Sequence, residues 1–121
     1  MQKKCYGSVT VFWLDRDEAL RRLRKAARRL LEERPEVLEV FLFGSLAEER
    51  AVPGSDADIL VVLGHSERPF FDRSQEFLPF FDEIGLPVDL FCYTQEEVER
   101  VPLAHQARKR GIRLAGRRAS G

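Results

Sequence analysis

The chain has little cysteine chemistry to offer, no membrane-crossing run and no net charge. Its 2 cysteines, Cys5 and Cys92, are too few for a disulfide framework. Both sit beside apolar residues, which predicts small buried thiols. No apolar stretch approaches the roughly 20 residues that a bilayer requires, and the start lacks a secretory-signal pattern. A cytoplasmic protein without membrane attachment is expected. Lys+Arg and Asp+Glu balance at 20 each, whereas a protein that coats nucleic acid is usually basic, so general nucleic-acid binding is not expected. The 2 histidines, His65 and His105, have no zinc-ligand spacing. Ser45 lies outside a G-x-S-x-G setting, so a serine triad is not indicated.

What remains is a folded globule with an uneven charge distribution. With 121 residues, 44% hydrophobic and 33% charged, one domain spanning 1–121 is expected. Ser8 to Leu14 is β-branched and aromatic and predicts a strand. Asp15 with Glu18 three residues on predicts a capped helix start. That helix should stop near Arg34, before Pro35, with Leu20, Leu23, Ala27, Leu30 and Leu31 as its apolar stripe. Arg21, Arg24, Lys25 and Arg28 fall on the other side and predict a solvated face.

Val37–Phe43 predicts a second strand, Ser45 to about Arg50 a short helix, and Pro53-Gly54 a turn. Asp58–Leu63 predicts a strand covered on both faces. His65–Gly85 carries Phe70, Phe71, Phe77, Leu78, Phe80, Phe81 and Ile84, interrupted by Pro69 and Pro79. It predicts one helix or two short ones covering the sheet, with an exposed aromatic docking surface as the alternative. Leu86–Tyr93 predicts a fourth strand. Thr94 with Glu97 predicts a capping box opening a helix over Gln95–Val101. Leu103–Arg110 predicts a further helix ending at Gly111 as C-cap, and Arg117–Gly121 a frayed end.

Asp56 and Asp58 are the first candidates for chemistry. On a strand, residues two apart share a face, with Cα atoms about 6.6 Å apart. Two carboxylates at about that distance repel by under ~1 kcal/mol in water and by roughly 2–3 kcal/mol at an effective dielectric of 20. A hard divalent cation such as Mg²⁺ would relieve that repulsion, and a solvated acidic turn is the alternative. Asp89, set between Val88 and Leu90-Phe91, is the third acid. It either faces solvent or joins Asp56 and Asp58 if the two strands pair. Gly44-Ser45 closes a strand just before the expected short helix, where glycine permits close backbone approach and helix N-terminal amides attract phosphate.

Gly44-Ser45, ten intervening residues, then Asp56-Ala57-Asp58 resembles the G-S-x10-D-x-D signature of the DNA polymerase β-like nucleotidyltransferases. The chain is similar to their minimal nucleotidyltransferase branch, whose members often pair with HEPN-domain proteins as toxin and antitoxin. The resemblance runs from Asp15 to about Leu114 and includes Asp89 and the ending Ala107-Arg108-Lys109-Arg110-Gly111-Ile112-Arg113-Leu114. It implies an α+β fold, a small mixed β-sheet with helices packed against it, as in the polymerase β-like palm. It implies transfer of a nucleoside monophosphate, AMP in the first instance, from ATP or another nucleoside triphosphate to a hydroxyl. Asp56, Asp58 and Asp89 would then be catalytic and hold Mg²⁺, and Gly44 and Ser45 would grip the triphosphate.

Where the family often reads G-S-R-A-R-G, this chain has Gly44-Ser45-Leu46-Ala47-Glu48-Glu49, with Arg50 as a substitute cation. The implied partner is a HEPN-type toxin neutralised by modification, and self-association is compatible with the sequence. A binding module that neutralises a partner by surface occlusion is the alternative. A small-molecule nucleotidyltransferase of the antibiotic-modifying kind is a third reading.

Overall fold

A computed structural model describes residues 2–6, 9–13, 16–44, 46–47 and 56–117, the first two stretches as backbone. Strands β1 (Gln2–Tyr6) and β2 (Val9–Trp13) form an antiparallel pair of their own. β2 is the expected β-branched run. β1 has no counterpart in the sequence expectation, because Gln2-Lys3-Lys4 carries no strand signal and is strand only through pairing. Asp15, the expected cap, and Cys5 as a side chain lie outside the description.

The main body follows as α1 (Arg16–Glu33), β3 (Val37–Phe43), β4 (Ala57–Leu63) and α2 (Phe70–Phe77). α2 leads into a 3₁₀ turn, Leu78–Phe81, before β5 (Val88–Thr94), α3 (Gln95–Arg100), α4 (Pro102–Arg110) and β6 (Ile112–Gly116). The four later strands make one sheet in the order β5-β4-β3-β6. β3 is antiparallel to both neighbours, and β4 and β5 are parallel. A parallel pair needs a long crossover, and the segment carrying α2 supplies it. The result is the expected α+β mixed sheet with helices on it.

Both faces of β4 are covered, as its apolar sequence predicts. Ala57, Ile59, Val61 and Leu63 join a core with Leu20, Leu23, Ala27, Leu30 and Leu31 of α1 and with Phe77, Phe81 and Ile84. Leu60 and Val62 point the other way, onto Val98 of α3 and Ala104 and Ala107 of α4. The cationic side of α1, Arg21, Arg24, Lys25 and Arg28, is exposed as expected. The aromatic segment divides: Phe77 and Phe81 are core, while Phe71 is 83% exposed. A covering helix is therefore the main role of that segment, and Pro69 and Pro79 mark the starts of its two pieces.

At the C-terminal end one strand was not expected, one expectation is met and one is corrected. β6 is a strand that local pattern does not announce, because its pairing with β3 is non-local. Gly111 ends α4 as its C-cap, as expected, with extended backbone (φ −75). Glycine is required there by crowding: a Cβ would lie 2.4 Å from the Ala107 carbonyl oxygen and 2.6 Å from that of Leu42. Arg117 is not frayed. Its Nε donates to the Val37 carbonyl (2.9 Å) and its Nη2 to those of Leu31 (2.6 Å) and Arg34 (3.1 Å). Residues 118–121 lie outside the description.

Arg73 fastens the outer edge of the sheet. It is 7% exposed, the one buried charged residue among those described. Its Nη1 donates to the Cys92 carbonyl of β5 (3.2 Å) and to Glu97 of α3 (2.6 Å), and its Nε to the Arg68 carbonyl (3.0 Å). Glu97 also accepts from the Thr94 amide (2.8 Å), completing the predicted capping box. The hydrogen bond from Arg73 outweighs burial and holds the Glu97 carboxyl below the usual carboxylate range. A folded-state pKa lowered in this way gives stability that is present above the unfolded value and fades as pH falls through the folded one. Arg73→Met should therefore lower stability by about 1–3 kcal/mol at neutral pH. Denaturant melts should show the difference from wild type shrinking below about pH 4, in the carboxylate range.

Candidate active site

The site is set by strand register. β3 ends at Phe43, which lies opposite Asp58 of β4. Asp58 in turn lies opposite Asp89 of β5. Two acids distant in sequence therefore occupy neighbouring strands at one level, as the pairing of their strands was expected to allow. Asp56 stands one residue before β4, exposed, and two before Asp58. Asp89 is also exposed, because β5 is an edge strand and mostly half-buried rather than a core strand. The two alternatives left open for Asp89 therefore hold at once: it meets solvent and lies opposite Asp58.

Alternation places Asp58 on the face that Leu60 and Val62 share. On the same face Phe43 and Phe91 meet edge to face, ring centres 5.5 Å apart. Asp58 is half-buried, and burial is the first cause of its raised pKa, followed by the charges of Asp89 and Asp56. A cation would answer that accumulation. Among the described residues no three His, Cys, Asp or Glu side chains lie close enough to hold a metal ion. The donor set fits a hard divalent ion by its chemistry, since all three acids offer carboxylate oxygens and Asp58 carries a repulsion that the ion would relieve.

Gly44 sits close against Asp58, in backbone that favours glycine. Its φ is +80, and a Cβ there would lie 2.4 Å from Asp58 Oδ2. Ser45, the short helix expected from Ser45 to Arg50, and the Pro53-Gly54 turn lie outside the described residues. Leu46 and Ala47 form a turn. Leu46 is buried in the α1-side core, 6% exposed. Arg16, at the start of α1, reaches this turn: its Nε donates to the Leu46 carbonyl (3.0 Å) and its Nη2 to that of Ala47 (3.1 Å). Sequence reasoning missed Arg16, and no local signal marks a contact 30 residues away. Cys92 is buried as predicted, and burial pushes its thiol up to about 12, which removes it as a nucleophile.

A family profile described as "Nucleotidyltransferase domain" matches residues 20–114. Among solved structures, a candidate nucleotidyltransferase from Sulfolobus solfataricus is 29% identical, with 88% of this chain and 91% of that chain covered and a TM-score of 0.59. The toxin–antitoxin MntA-HepT is 19% identical, with 79% and 71% covered and a TM-score of 0.52. A toxin–antitoxin with AMP-PNP is 19% identical, with 87% and 76% covered and a TM-score of 0.51. The last two show likeness of fold. No curated protein compared matches the chain. No described helix is long and apolar enough to cross a membrane. The match over 20–114, on a chain whose sheet sets Asp58 against Asp89 beside Gly44, places the protein in the nucleotidyltransferase domain family.

Proposed function

We propose that the protein transfers a nucleoside monophosphate, AMP in the first instance, from a nucleoside triphosphate to a hydroxyl on a HEPN-type toxin, and acts as its antitoxin. The observation that carries this reading is the register of Asp58 against Asp89 beside Gly44. It is supported by the family match and by fold likeness to the MntA-HepT toxin–antitoxin and to a toxin–antitoxin with AMP-PNP.

In this reading Gly44, without a side chain, lets the triphosphate approach the backbone, and Ser45 donates to it. Asp56, Asp58 and Asp89 would have to draw closer together to hold Mg²⁺, which when bound supplies positive charge to the attacking and leaving oxygens. Asp89, exposed on the edge strand, would take the proton of an incoming hydroxyl. The acceptor oxygen bonds to the α-phosphorus as the bond to pyrophosphate breaks. Labelled ATP, Mg²⁺ and the partner should give labelled partner. Asp56→Asn should lower the yield at least about a hundredfold, the scale for losing one electrostatic stabiliser. Equal labelling by wild type and variant would refute the reading.

The exposure of Phe71 favours a second reading, neutralisation by occlusion alone. Under it, Phe71→Glu abolishes neutralisation while Asp56→Asn and Asp89→Asn leave it intact. Acid variants that fold and bind the partner but no longer neutralise it would dispose of this alternative.

A further inference from the structure

We infer that Phe43 and Phe91 form a shelf for the nucleobase, so that the site takes purine nucleoside triphosphates in preference to pyrimidine ones. The inference rests on the reading of the site given above. Phe43 lies opposite Asp58 in the pairing of β3 with β4, and Phe91 lies two residues beyond Asp89 on β5. Residues two apart on a strand share a face, about 6.6 Å from each other. Both rings therefore stand on the face of the acids and one such step from them.

β4 separates the two strands that carry the rings, which are thus about 10 Å apart. Rings whose centres are 5.5 Å apart must reach toward each other across β4. Phe43 is level with Asp58 and Phe91 with Leu60, so they meet between those two residues. On one side of them are the acids, and on the other the apolar cluster of Phe41, Leu60 and Val98. Phe41 and Leu60 are 5% and 0% exposed, whereas Phe43 and Phe91 are only half-buried. The ring planes stand at 61°, edge to face. In such a pair one ring gives its edge to the face of the other. The ring that gives its edge keeps its own faces for a third planar group. A nucleobase is planar and aromatic, and its ribose tethers it to the α-phosphate that the acids would serve. The shelf is apolar, which suits the base and not the phosphates. Stacking strengthens with overlapping ring area, so a two-ring purine gains more than a one-ring pyrimidine.

The test separates the base from the phosphates. Calorimetry with Mg²⁺ compares AMP-PNP, a non-hydrolysable CTP analogue, and inorganic tripolyphosphate, which has no base. Wild type is expected to bind AMP-PNP more tightly than the CTP analogue, and both more tightly than tripolyphosphate. Phe91→Leu keeps an apolar side chain and loses the ring. It should weaken AMP-PNP binding by about tenfold, the scale of one stacked base, erase the preference for purine, and leave tripolyphosphate binding unchanged. Phe91→Trp should keep both the affinity and the preference. Phe91→Leu that binds AMP-PNP as wild type does would overturn the inference, and a loss of partner binding in its place would give the rings to the acceptor. An equal loss of AMP-PNP and tripolyphosphate binding would also overturn it, since that marks the rings as mere support. So would wild type that binds tripolyphosphate as tightly as AMP-PNP, although the phosphate and metal parts of the site would then stand. Wild type that binds none of the three would bring down the reading of the site, and the inference with it.

Discussion

Asp58→Asn is expected to abolish transfer and, in the absence of divalent ions, to make the protein more stable. Burial and the charges of Asp89 and Asp56 raise the proton affinity of Asp58 in the fold. The folded state therefore disfavours the ionised form relative to the unfolded chain. For an acid shifted in this direction, stability is lost as pH rises from the unfolded value through the folded one, and the full penalty stands at neutral pH. Asparagine removes the charge and keeps the shape. In EDTA at pH 7 the midpoint should rise by roughly a few degrees, a small effect because the site is open to water. The gain should vanish at low pH, where wild type is protonated too. Mg²⁺ should raise the wild-type midpoint and leave the variant unmoved. Transfer should fall at least about a hundredfold. A variant that melts earlier than wild type in EDTA, or one that still transfers, contradicts the assignment.

Gly44→Ala should damage both stability and transfer. A side chain at φ +80 occupies left-handed backbone, costing about 1–2 kcal/mol. The added methyl would also sit 2.4 Å from Asp58 Oδ2, a distance that real contacts do not tolerate, so the carboxylate must move. Stability should drop by about 1–3 kcal/mol, and transfer at least about tenfold, since an ångström of displacement at a reacting centre is enough. Gly85→Ala separates the two effects. Gly85 also has positive φ, +94, but lies in the turn before β5. It should lose stability for the same backbone reason and keep transfer. Equal transfer loss in both variants would show that the damage comes from strain and not from Asp58.

The parts legible in sequence are those written in local chemistry. The α1 stripe, the apolar run of β4, the Thr94–Glu97 cap and the proline-divided aromatic segment each follow from residues a few positions apart. The acids and glycine of the site were legible as residue types at a spacing. Their convergence was legible only as a condition, that the strands of Asp58 and Asp89 pair. The structure meets it in register, although the apolar neighbours of Asp89 do not tell an edge strand from a central one. What escaped was non-local. β6 is a strand because β3 lies beside it, Arg117 is held by carbonyls of α1 and β3, and Arg16 finds its acceptors across 30 residues. Leu46 read as a missing cation because spacing alone cannot tell an inward side chain from an outward one.

The Arg73 fastening also limits how another protein can be recognised. An exposed sheet edge invites an incoming chain to add itself as a further strand through main-chain hydrogen bonds. On β5 that invitation is withdrawn at Cys92, whose carbonyl already accepts from Arg73 while α2 packs against the strand. A polypeptide approaching from the side of Asp89 cannot extend the sheet along the whole of β5. Past Cys92 it must be read by side chains, and that part of the edge selects by shape and chemistry rather than accepting any extended segment.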